Sequence, residues 1–86
     1  MLLERKKGGD MLAFIICKLE AGQERDVLSK IREIPHVKDV YLTFGGWDVV
    51  VIAEANTLEK LSSLVIEEIR SVKGIHTTET LVTTTI

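Results

Sequence analysis

The residues best equipped for chemistry in this chain gather in one short stretch, Gly45-Gly46-Trp47-Asp48. Asp48 heads a strongly apolar run, where a carboxylate is costly unless it is paired or exposed. An α-ammonium group is a fitting partner for it. The two glycines leave the backbone bare, so their N–H groups can approach a ligand carboxylate as an anion nest does. Each residue also has a plain structural reading. Gly45 and Gly46 suit a turn between strands, and Asp48 can bond back to that turn. Trp47, the single tryptophan, can anchor a core or interface with no ligand present. Thr78 and Thr80 share one strand face, and their hydroxyls together can serve a carboxylate or amide. Threonine is equally an ordinary strand former. His36 and His76 stand at strand starts and carry no catalytic signature. Cys17, inside an apolar strand, behaves as a small hydrophobe.

No reactive constellation surrounds these residues. The sequence holds no nucleophile–base–orienter set, no paired histidine ligands, and no glycine loop leading into a helix that would cradle phosphate. One cysteine and two histidines exclude an internal disulfide and make a zinc site implausible within one chain. We therefore expect no enzyme, no metal and no cofactor.

The elements that position the stretch follow from periodicity. Met11–Leu19 is short, apolar and partly β-branched, and reads as a buried strand. Gln23–Ile34 carries Val27, Leu28, Ile31 and Ile34 on one helical stripe and stops at Pro35. Val37–Phe44 alternates, with Val40, Leu42 and Phe44 opposite Asp39, Tyr41 and Thr43. Gly45-Gly46 then supplies a tight connection into a second apolar strand, Trp47–Ala55. Thr57 is a good N-cap for a helix over Leu58–Arg70, whose core stripe is Leu58, Leu61, Val65 and Ile69. Ile75–Ile86 holds nine β-branched residues in twelve and reads as the last strand. The order β-α-β-β-α-β predicts an α+β, ferredoxin-like sandwich with a four-stranded antiparallel sheet, its first and third strands central.

Composition narrows the function classes. The chain has 86 residues, 45% of them hydrophobic and 28% charged, which suits one folded domain over 11–86 with a loose leader over 1–10. Eleven Lys and Arg against thirteen Asp and Glu leave no basic footprint for nucleic acid. The longest apolar run, Met11–Cys17, is seven residues, far short of the ~20 that span a membrane. A cytoplasmic protein is expected. Two amphipathic helices cover one sheet face only, yet both faces of the central strands are apolar. Ala13, Ile15 and Cys17 oppose Leu12, Phe14 and Ile16; Trp47, Val49, Val51 and Ala53 oppose Val50 and Ile52. The spare face predicts a homodimer packed sheet against sheet.

The stretch Phe44-Gly45-Gly46-Trp47-Asp48-Val49-Val50 resembles the signature of the Lrp/AsnC regulators' C-terminal effector domain, also called the RAM domain. Ala13-Phe14, Ala21-Gly22, Ile34-Pro35-His36-Val37, Val40-Tyr41, Gly74-Ile75 and Thr78-x-Thr80 before Leu81-Val82 extend the likeness over roughly 11–86. The resemblance implies a dimeric α/β barrel that assembles further into rings, often octamers. It implies an amino acid or related small-molecule effector bound between dimers, and it carries ligand binding onto Gly45, Gly46, Trp47, Asp48, Thr78 and Thr80. Members usually bear an N-terminal helix-turn-helix domain, for which the ten leader residues are too few. The expectation is a stand-alone form that modulates transcription without binding DNA itself. Alternatives are a small monooxygenase-like enzyme on the same barrel, or a partner that mixes into rings of full-length regulators.

Overall fold

The computed structural model describes residues 11–83; the expected leader and the last three residues of the expected final strand lie outside them. Four strands, β1 (Met11–Leu19), β2 (Val37–Leu42), β3 (Val49–Ala55) and β4 (Ile75–Val82), form one sheet in the order β2-β3-β1-β4. Every neighbouring pair is antiparallel. The two most apolar strands, β1 and β3, are central, as their composition requires. Helix α1 (Glu24–Arg32) connects β1 to β2, and α2 begins at Leu58 and connects β3 to β4.

Cross-strand partners share a sheet face, so the register separates the two sides. Ala13, Ile15 and Cys17 pair with Ala53, Val51 and Val49, and all six are fully buried. Val40 of β2 extends that layer, and Val27, Ile31, Leu61, Leu64, Val65 and Ile69 close it from the helices. On the other side Phe14 and Ile16 pair with Ile52 and Val50 and are only partly shielded. Tyr41 pairs with Val50 and Leu81 with Phe14, and both are about half exposed. No helix among the described elements covers this face.

The second helix departs from the expected form. After Leu58–Ser63 it widens into a π-helical turn over Leu64–Ile69, closed by the Arg70 N–H donating to the Val65 carbonyl at 2.9 Å. Its core residues Leu61, Val65 and Ile69 recur every four residues, which drifts off one face of a 3.6-residue helix. The wider turn compensates and keeps all three on the sheet. Leu58, expected in the core, is instead exposed in the first turn, and Ile66 in the π-helical part is exposed as well. Thr57 caps the start as expected, its Oγ1 accepting from the Lys60 N–H at 3.1 Å.

Candidate functional site

Residues 43–48 join β2 to β3 as a six-residue loop, longer than the two-glycine turn expected from sequence, and β3 starts at Val49 rather than Trp47. Only Gly45 takes a positive φ, +123°, which explains its lack of a side chain; Gly46 does not. The loop is closed on itself. The Thr43 N–H donates to the Asp48 carbonyl at 2.9 Å, and the Thr43 hydroxyl donates to the Trp47 carbonyl at 2.7 Å. It is also latched to the sheet. The Asp48 N–H donates to the Cys17 carbonyl, and Asp48 Oδ2 accepts from the Leu19 N–H, both at 2.8 Å. Asp48 thus prolongs the β1–β3 ladder with its side chain, a satisfied position for a half-buried carboxylate. Its Oδ1 has no hydrogen bond among the described residues.

Trp47 is half-buried, with Lys18 Nζ 5.3 Å from its ring centroid, within cation–π range. Phe44 projects from the loop fully exposed. Beside it a depression of about 280 Å³ is bounded by Glu24, Leu42, Thr43 and Asp48. Thr78 and Thr80 pair with Cys17 and Ile15, so both lie on the helix-facing side at the β4 edge, and both are half-buried. Thr80 lines a hollow of about 300 Å³ against α2, with Leu58, Ile66 and Val82 at its rim. Within one chain the six predicted site residues form two groups. Gly45, Gly46, Trp47 and Asp48 stand together on one side of β1, and Thr78 and Thr80 on the other.

Among the described residues three titrating groups are perturbed. Burial alone raises the Cys17 thiol to about 11, which keeps it protonated and unreactive at neutral pH. On the uncovered sheet face the Tyr41 hydroxyl donates to Asp39 Oδ2 at 2.6 Å, and the Val40 N–H donates to Asp39 Oδ1 at 2.9 Å. These bonds hold the Asp39 carboxyl below its ordinary range, and the same carboxylate raises Tyr41. Sequence reasoning noted both residues on one strand face but missed the bond between them; their spacing of two was the available signal. Among the described residues no three His, Cys, Asp or Glu side chains gather as metal ligands do.

The sequence and the fold match those of a known domain. The model of the Lrp/AsnC ligand binding domain matches residues 12–85. The chain belongs to the Lrp/AsnC family. The HTH-type transcriptional regulator FL11 of Pyrococcus furiosus is 33% identical over 75 residues, which make up 87% of this chain and 49% of that protein. Among solved structures, FFRP-DM1 superposes with a TM-score of 0.83 at 35% identity, covering 87% of this chain and 100% of that one. The Neisseria meningitidis transcriptional regulator NMB0573, solved as an L-Met complex, shares the fold with a TM-score of 0.86 at 18% identity, over 99% of this chain and 57% of that one. The chain spans about half the length of the curated Lrp/AsnC relatives it matches, and those relatives are named as transcriptional regulators.

Proposed function

We propose that this Lrp/AsnC chain is an effector-sensing and self-association domain that binds an amino acid at the 43–48 loop. It would act on transcription through its assembly and through partner proteins rather than by touching DNA. The observation that carries this reading is the latched loop: a carboxylate with one oxygen uncommitted among the described residues, beside two bare glycines, held by β1. The Asp48 Oδ1 receives the ligand ammonium while the Gly45–Trp47 backbone holds its carboxylate. Thr78 and Thr80 of a neighbouring copy complete the pocket. A relative of the same fold solved with L-Met supports the ligand class. Net charge of −2 supports the absence of direct DNA binding.

Self-association enters through the uncovered face. A second copy packed on Phe14, Ile16, Val50 and Ile52 removes the apolar surface of that face from water. A ligand held where copies meet then stabilises the assembly, and assembly tightens the ligand by the same factor. Isothermal calorimetry against the twenty amino acids tests the sensor. At least one should bind saturably, and Asp48→Asn, which keeps an acceptor for Leu19 but loses the charge, should weaken it by tenfold or more. No binding by any of the twenty to the wild-type chain removes the amino-acid reading.

A further inference from the structure

The Asp48 latch also sets a second carboxylate beside the loop. Asp48 Oδ2 accepts from Leu19, the last residue of β1, and the chain then turns through Gly22, at φ +84°, to start α1 at Glu24. That turn is pinned by the Gln23 N–H donating to the Glu20 carbonyl at 3.2 Å and by the Glu20 N–H donating to the Gly74 carbonyl at 2.7 Å. Glu24 and Asp48 therefore border one depression of about 280 Å³, whose other walls are Leu42, Thr43 and Phe44. Among the described residues no cation lines it, and the neighbouring Lys18 is held over the Trp47 ring instead. Neither a salt bridge nor a side-chain hydrogen bond occupies Glu24 among those residues.

We infer that the amino acid taken by this loop has a cationic side chain, as lysine and arginine do, and that Glu24 selects it. The inference rests on the reading of the 43–48 loop as an amino-acid site and names the class of amino acid. Charge balance decides the class. A bound zwitterion gives its ammonium to Asp48 and its carboxylate to the backbone N–H groups, which leaves Glu24 uncompensated. A cationic side chain supplies the missing charge, a neutral one does not, and an acidic one meets a like charge. The methylenes of a long cationic side chain also suit the lining, since they can lie along the exposed Leu42 and Phe44 while the charged head stays in water at Glu24. Glu24 has a structural use as well, because an acidic residue in the first turn of a helix complements the helix dipole. That use bears on stability and not on the choice among ligands. Glu24 is exposed, so its pairing with a ligand is modest and screened by salt. It ranks ligands whose common parts Asp48 and the loop backbone hold.

Calorimetric titration of the full 86-residue chain with L-lysine, L-arginine, L-norleucine and L-glutamate at low salt tests this. Norleucine keeps the four-carbon side chain of lysine and lacks its terminal ammonium. Lysine or arginine should bind at least fivefold more tightly than norleucine, glutamate should bind most weakly, and added salt should narrow the gap. Glu24→Gln should bring the cationic ligand to within twofold of norleucine while leaving norleucine itself unchanged. Asp48→Asn should weaken both ligands alike, because both carry the α-ammonium. Circular dichroism checks that each variant folds, and Glu24 is exposed, so its replacement leaves the core untouched. Norleucine binding as tightly as lysine and arginine overturns the inference and leaves the amino-acid site standing. A Glu24→Gln variant with an unchanged ratio, or with equal losses for both ligands, does the same. Absence of binding by all four and by the remaining natural amino acids overturns the inference and the site together.

Discussion

Asp48 carries two duties that substitution can separate. Its Oδ2 satisfies the Leu19 N–H, and hydrogen bonds of this charged kind contribute roughly 1.5–3 kcal/mol. Asp48→Ala should lower unfolding free energy by about that amount in a urea titration, and Asp48→Asn, a neutral acceptor, should restore part of it. Sequence alone marked Asp48 as a carboxylate in need of a partner, but Leu19 lies 29 residues away and meets it only through the β1–β3 register. His36 shows the same limit. It reads as standing at a strand start, yet it holds φ +75° behind Pro35 in a turn closed by the Val37 N–H on the Ile34 carbonyl. A left-handed non-glycine residue costs roughly 1–2 kcal/mol, so His36→Gly should raise stability by about 1 kcal/mol in the same titration. The Asp39–Tyr41 bond gives a pH signature. Asp39 is lowered in the fold, so its contribution is present above the unfolded value near ~3.9 and fades as pH falls through the folded one. Tyr41 is raised, so its share persists below ~10 and is lost on further alkalinisation. Tyr41→Phe should flatten both limbs of a stability–pH profile.

Among the elements, the strands and their order were legible because period-two alternation and two-sided apolarity leave few alternatives. The helix stripes were legible too, apart from Leu58. The π turn was not, because a four-residue spacing fits an α-helix locally and only the sheet beneath decides the width of the turn. Loop length failed for a similar reason: Gly45-Gly46 suits a tight turn, but Asp48 is drawn back to β1 and lengthens the connection. Where α2 gives way to β4, Gly74 holds φ +103°, and a Cβ there would lie 2.8 Å from Val27 Cγ2 and 2.9 Å from Gln23 Cβ. Both the left-handed backbone and the contact penalise a side chain. Gly74→Ala should cost about 2–4 kcal/mol by denaturant titration, against about 1 kcal/mol for removal of the Thr57 cap in Thr57→Ala.

At the scale of the whole molecule, the sequence already placed apolar residues on both sides of the sheet while providing helices for one. The structure assigns those residues to their faces by register and leaves Phe14, Ile16, Val50 and Ile52 without a covering layer among the described elements. The outlying apolar patches were not legible, since Leu42 and Phe44 looked like core positions of an alternating strand and Leu58 like part of a helix stripe. Ile16→Lys would set a charge at the centre of the uncovered face without entering the helix-side core. It should leave the fold intact and abolish pairing. Central to the proposed function is that ligand sensing would depend on self-association of the chain. The most direct measurement is sedimentation equilibrium of wild type and Ile16→Lys at micromolar concentration. Wild type should show a mass of at least twice 9.6 kDa and the variant a single chain; a wild type sedimenting as a 9.6 kDa monomer would contradict it.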